Sequence, residues 1–468
     1  MKFNFLFFRF VIILFDISFL SFALTQNCID IPNPLNKTNR IIRPCHIGKP
    51  SNLKSKSKRD ENDMCKVDFT CNISDGNLCE KAQKSLYDAC QNISSILILK
   101  KQITISATFL ADSSNYLGAT TPSRFYLLRS KDGIVRAYPQ ALAKQFQLEL
   151  NDTLSYDIEM IFNPSYEFWF NGDEPISALQ YNFFTISLHE IFHGLGFMSF
   201  FDNSFAVNYG LSSESISPLP ELTSVSGGEL FEGFIETIFD RFVYILADSS
   251  EPENTKINSF TNITAEFNKF GPPPKNYSNE IEFLKNLSDS PQWKNLTPYL
   301  YKKATLQDSI IFVPFNEDVS NGTFLETGIA YNPGSTISHV SSNKYEDTSD
   351  FLMVYQTNPG ISTESLINEF GDLISPRLKT IMHSIGFLTK DNPIMNEPEP
   401  ENPESSPSPS PSPSPSSSST TTNSVTYKNS STKIYLDTWK LWKFALMILI
   451  VYLQTDYFGN FKLIICNE

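Results

Sequence analysis

Residues 189–193 read His-Glu-Ile-Phe-His, and the chain runs on as Gly194-Leu195-Gly196-Phe197. On a helix, His189 and His193 lie four apart, so both imidazoles leave one face about one turn from each other. That spacing suits two nitrogen ligands of a single Zn²⁺ and leaves the ion open to a third ligand and a water. Glu190 stands beside the first of them, where a carboxylate can take the proton of a metal-bound water. A chain with only five His meets this pattern by chance on the order of a few times per thousand such sequences. Phe183-Phe184-Thr185-Ile186-Ser187-Leu188 before the motif and Phe197-Met198 after it predict a buried helix. The core must therefore be built around this helix, and a third ligand must be brought to it.

Outside the motif the chain holds only His46, His339 and His383. His46 lies in a polar N-terminal arm. His383 sits in an apolar helical stretch and reads as a packed core histidine. By elimination His339, in Gly334-Ser335-Thr336-Ile337-Ser338-His339-Val340, is the third ligand; it comes fourteen residues before Met353.

The first residues, Met1 to Phe15, join basic residues to an apolar run, with Ser21 and Ala23 ahead of polar Gln26-Asn27. Residues 1–25 are read as a secretory signal peptide. Ten Asn-x-Ser/Thr sequons and six cysteines crowded into the first ninety residues agree with that route. Helical spacing over Glu80–Ile93 would put Cys79 and Cys90 roughly 16 Å apart along an axis, too far to pair, so Cys65 and Cys71 are their expected partners. Residues 26–64 form an N-terminal arm or propeptide, read as loop-like; Lys54-Ser55-Lys56-Ser57-Lys58-Arg59 is a processing site or an ordinary solvated loop.

The catalytic domain is placed at 65–390. Strands are expected at Ile96–Leu99, Ile103–Leu110 and Tyr156–Phe162, the last half-exposed and with a free edge on which a substrate strand can add. Gly228 to Leu246 has the apolar density of core and is expected to begin as helix. Residues 250–300, rich in Asn, Ser and Pro, read as an exposed insertion. Pro376 to Phe387 is a helix closed by Gly386. Residues 391–433 form a disordered Ser/Pro-rich stalk, because alternating Ser-Pro cannot build a core. In 434–468 the uninterrupted apolar run Phe444–Leu453 is ten residues, short of the roughly 17 to 20 that span a membrane. A transmembrane anchor extended by flanking residues, a lipid-anchor signal and a buried or interfacial tail all remain open.

The chain of 468 residues is 41% hydrophobic and carries a formal charge of −14, which argues against a nucleic-acid partner.

His-Glu-x-x-His with Gly196 three residues on resembles the metzincin zinc peptidases, in which a glycine turns the chain after the zinc helix and a methionine turn supports the site. Their usual third His would fall at Ser199, so the short-spaced branches do not fit. The leishmanolysin-like branch, with a sizeable segment before its third His, fits better. The run His-Glu-x-x-His-Gly-Leu-Gly-Phe is also similar to secreted metallopeptidase-like proteins of eukaryotic microbes. The resemblance covers about 80–390. It departs from the leishmanolysins in having no Cys between 91 and 390 and a longer insertion. It implies an α+β, metzincin-like catalytic domain: a twisted sheet, a zinc-binding active-site helix, a Met-turn at Met353 and a C-terminal helix. His189, His193 and His339 are then the metal ligands. Tyr355, two residues past Met353, is placed like the tyrosine of the astacin turn, where it would ligate zinc or hydrogen-bond the oxyanion; packing of the turn is the competing role. A gluzincin site would instead draw its third ligand from Glu214, Glu221 or Glu229.

The expected activity is a zinc-dependent endopeptidase, secreted or held at the cell surface by its C-terminal tail. Protein or peptide substrates would be cut with Glu190 as general base. The rival is a non-catalytic surface adhesin that keeps a zinc-binding fold.

Overall fold

The computed structural model describes residues 25–394, apart from 38, 49–63, 112–114, 131, 147, 248–258 and 272. The expected signal peptide, basic stretch, stalk and anchor all lie outside the described residues. No described helix is long and apolar enough to cross a membrane.

Helices and sheets mix in an α+β arrangement. Strands β1 (Thr25–Asp30), β2 (Ile41–Gly48), β3 (Cys65–Cys71), β4 (Ile103–Phe109), β5 (Gly118–Pro122), β6 (Arg124–Arg129), β7 (Val135–Pro139), β8 (Glu149–Leu150) and β9 (Ile158–Phe162) supply most of two sheets. The smaller has the order β3-β4-β9-β5, with β3, β4 and β9 parallel and β5 antiparallel to β9. Along β4 and β9 every second residue is buried, the period-two pattern of a strand with one face on the core.

Helix α1 (Gly76–Ile96), capped by the Asp75 side chain on the Leu78 N–H, crosses from β3 to β4. Disulfides Cys65–Cys90 and Cys71–Cys79 tie the two ends of β3 to α1, which runs antiparallel to it. The lengths match: eleven helical residues cover roughly 16 Å and six strand steps roughly 20 Å. Cys65 and Cys71 are thus the partners of Cys79 and Cys90, as the helical spacing suggested, and the structure shows which pairs with which. Helix α2 (Phe183–Gly194) packs against α1 and against β5. Only 12 residues long, α2 would be marginal alone, and its burial supplies what propensity does not. Phe183 lies among the rings of Phe109, Phe162, Phe168 and Phe170, with centroids 4.8–5.8 Å away. Each such pair contributes about 0.5–1.5 kcal/mol beyond area burial.

The larger sheet continues with β10 (Leu219–Val225), β11 (Gly228–Thr237) and β12 (Lys275–Tyr277). Its order is β10-β11-β7-β6-β1-β2-β8, with β12 also on β11.

Several expectations are corrected here. The 26–64 arm is not a loop where it is described: β1 pairs with β2 and β6 inside the large sheet, and Cys28–Cys45 closes the hairpin. A detachable propeptide would remove a central strand. Ile96 ends α1 and Leu97 forms only an isolated bridge, so there is no strand at 96–99; the α1 register carried further than local β-branched content suggested. Gly228 begins a strand and not a helix. The 250–300 stretch holds helices Phe260–Asn268, Glu280–Asp289 and Pro291–Ala304, whose Phe260, Phe267, Phe283, Leu287, Trp293 and Leu300 are buried. Three of its sequon asparagines, Asn262, Asn286 and Asn295, are exposed on amphipathic helices and the fourth, Asn276, on β12, a pattern that composition alone mistakes for an exposed loop. Finally, β9 is paired on both sides, so the Tyr156–Phe162 segment offers no free edge.

Candidate metal centre

Asn182 caps α2 by accepting from the Thr185 N–H and donates to Thr363, which anchors the helix start. The other end stops at Gly196, whose φ of +114° suits glycine and where a Cβ would meet Pro139 at 2.9 Å. The chain then turns away under the helix. Ser199, at the position of the usual third His, instead donates its backbone N–H to Ser338 Oγ at 3.1 Å. The exit segment is thereby joined to the neighbour of His339.

His339 arrives on a turn held by its surroundings. Its carbonyl accepts from the Glu326 N–H at 2.8 Å, and the Val340 N–H donates to Met353 O at 2.9 Å. Ile337, two residues before it, has φ of +68°, a strained conformation for a β-branched residue that survives only where the environment over-determines it.

Each imidazole is oriented through Nδ1. His189 faces Leu352 O at 2.7 Å, His193 faces Phe197 O at 2.8 Å, and His339 faces Ser335 O at 3.0 Å. Donation from Nδ1–H to a carbonyl selects the tautomer whose Nε2 carries the lone pair. Those three Nε2 atoms converge, at 3.1 Å (His189–His193), 3.0 Å (His193–His339) and 3.2 Å (His189–His339). Three lone pairs facing one another repel unless a cation sits among them. A tetrahedral zinc with bonds of about 2.0–2.1 Å separates its nitrogens by about 3.3 Å, so the triangle fits the ion. Among the described residues this is the group able to hold a metal ion. Burial and the neighbouring imidazoles hold the His193 and His339 pKa values well below the ordinary one, which keeps both rings neutral, as metal binding requires.

Glu190 is buried on the same helix and lies against the edge strand: a Cβ on Gly118 of β5 would stand 3.0 Å from Glu190 Oε1. Only glycine permits so close an approach. The Tyr355 ring stands edge-on to His339, centroids 6.5 Å apart. Met353 is buried, its carbonyl accepts from the Val340 N–H next to His339, and the preceding Leu352 supplies the carbonyl for His189.

The acidic alternatives lie elsewhere. Glu221 on β10 accepts from Asn27 at 2.7 Å, Glu229 accepts from Ser224, and Glu214 is exposed. His46 pairs with Asp152, and His383 donates from Nε2 to Ile394 O at 2.9 Å. It is therefore not the packed core histidine expected from its apolar neighbours.

Two residues of the site escaped sequence reading. Lys37, from the β1–β2 loop, comes close enough for its charge to bear on Glu190, His193 and His339; burial lowers its pKa and Glu190 raises it. Asp240 holds the exit of α2, accepting from the Phe200 N–H at 3.0 Å and from Thr237. Burial pushes its carboxyl up to about 7, although these hydrogen bonds oppose the shift. A raised folded pKa means that the native state binds the extra proton between about pH 4 and pH 7, so stability is lost as pH rises through that window. Asp240→Asn should therefore gain on the parent by at most about 1.4 kcal/mol per pH unit there. Urea midpoints at pH 5 and 7 check it; an unchanged difference would refute the assignment.

The chain matches the SPBPB7E8-like family model over residues 28–425 and belongs to that family. It is 26% identical over 373 residues to the uncharacterized protein PB7E8.01 of Schizosaccharomyces pombe, covering 71% of this chain and 64% of that protein. The match thus spans a little less than two thirds of that relative's length. No solved structure matches.

Proposed function

We propose that this protein is a metzincin-like zinc peptidase that acts on proteins or peptides outside the cytosol. The observation that carries the reading is the convergence of three tautomer-fixed Nε2 atoms beside a buried glutamate. His189, His193 and His339 would hold Zn²⁺, which when bound supplies Lewis acidity and lowers the pKa of water. Glu190 takes the proton of the attacking water and passes it to the leaving amine. Substrate lies extended along the outer edge of β5, which borders Glu190, and not along β9. Tyr355, whose ring stands edge-on to His339, would donate to the developing oxyanion. The turn at Gly196 and the buried Met353, whose carbonyl holds the residue after His339, support the metzincin-like reading.

Three disulfides support a secretory route, as does the exposure of eight of the nine described sequon asparagines, Asn92 being the exception. The full chain, harvested from a secreting host, should cleave casein, lose that activity to a zinc chelator and regain it on adding Zn²⁺. Zinc-loaded protein with no hydrolysis of casein or of a peptide library would leave the non-catalytic adhesin as the reading.

A further inference from the structure

The loop between β1 and β2, residues 31–40, is not free to leave the metal centre. Cys28–Cys45 closes its base. Near its far end Arg40 pairs with Asp202 and lies 4.5 Å over the Phe200 ring, so the loop is clamped to the segment that leaves α2. Between these fixed points the Lys37 side chain runs inward. A Cβ on Gly334 would stand 3.9 Å from Lys37 Cδ and 4.0 Å from Nζ. Gly334 opens the turn that carries His339, and Ser335 of the same turn orients the His339 ring. The Lys37 ammonium is thus lodged against the ligand turn, with Glu190 as an acidic group in electrostatic reach.

That placement sets up an imbalance. A sheltered ammonium needs a counter-charge, because desolvation is otherwise uncompensated. Glu190 is one acidic group in reach, and a single carboxylate offsets a single positive charge. With three neutral imidazoles, a bound divalent cation and Lys37 would outweigh that one carboxylate and leave positive charge in excess inside a protein whose overall charge is −14. An anionic group on the substrate removes the excess. In a peptide that group is a carboxylate.

We propose that Lys37 is a specificity-determining residue that holds a substrate carboxylate next to the scissile bond, so that peptides carrying one there are preferred. The inference rests on the peptidase reading for its substrate class, but not for its binding test. A carboxylate can come from the free C-terminus or from an Asp or Glu side chain, and three peptides of one sequence separate the sources. The first has a free C-terminus and no acidic side chain; the second is its amide; the third is an amide carrying one internal Glu.

Binding is measured on zinc-loaded, full-length Glu190→Gln protein, and KM and kcat on the unsubstituted protein. One carboxylated peptide should bind about 10- to 100-fold more tightly than the neutral amide, the factor expected of a hydrogen bond to a charged group. The preference should appear in KM with little change in kcat. Lys37→Met should abolish it and Lys37→Arg retain most of it. Both substitutions leave the Asn36-x-Thr38 sequon intact, and unchanged zinc content and melting temperature exclude misfolding. If the free acid is the tight binder the site reads C-termini; if the internal Glu is, it reads acidic side chains. Equal binding of all three peptides, or a preference that survives in Lys37→Met, overturns the proposal. A Lys37-dependent preference without hydrolysis by the unsubstituted protein would sink the peptidase reading and leave the anion site standing.

Discussion

Glu190→Gln should lower kcat/KM for peptide hydrolysis by at least about 10²- to 10⁴-fold, the range typical of removing a general base. Zinc content should stay at that of the parent protein. The reason is geometric: the three Nε2 atoms meet without any contribution from Glu190, so the amide removes a base and no ligand. Glutamine is also the right size for the slot that Gly118 leaves beside it. A fluorogenic peptide assay with metal analysis of the same sample checks both halves. Near-parental turnover would end the mechanism, and loss of zinc would make Glu190 a ligand.

His339→Ala should lose both metal and activity, whereas Glu214→Ala, Glu221→Ala, Glu229→Ala and His383→Ala keep zinc. His339 stands 146 residues from His193 in sequence, yet their Nε2 atoms are 3.0 Å apart. A ligand recruited over such a gap costs little extra loop entropy, since closure grows only logarithmically with length, and here the intervening chain is folded. The hydrogen bonds of the His339 backbone to Glu326 and of Val340 to Met353 do not involve the imidazole, so the alanine variant should keep its fold. Dialysis followed by metal analysis, with circular dichroism as the folding control, tests this. Full zinc retention by a folded His339→Ala protein would refute the ligand set.

The candidate site was legible where its chemistry is local. Four residues of helical spacing bring His189 and His193 together, and an apolar flank on both sides requires burial of the helix that carries them. Counting was enough to single out His339, because a chain with five His offers few alternatives. The exclusion of a Cys79–Cys90 bond followed from the same kind of argument, since two residues eleven apart on a helix cannot reach each other; which of Cys65 and Cys71 meets which was left to the fold.

Other features depend on what the chain packs against. Tyr156–Phe162 has the alternation of a strand, but alternation reports which face is buried and says nothing of which edge is paired; β5 covers the edge of β9. Gly228–Thr237 and the helices of 250–300 were misread because composition does not specify which neighbours bury the apolar side of a segment. Lys37 carries no local signal at all. In sequence it is an ordinary lysine in a polar stretch, and only the pairing of β1 into the central sheet brings it near the three histidines. The sequence by itself determined the helix, its two imidazoles with the carboxylate between them, and that Cys79 and Cys90 do not pair with each other, because each depends on spacing along one element. The tertiary structure decided the edge strand, the approach of His339 to the other two imidazoles and the lysine near them, because those depend on long-range pairing that no short window of residues encodes.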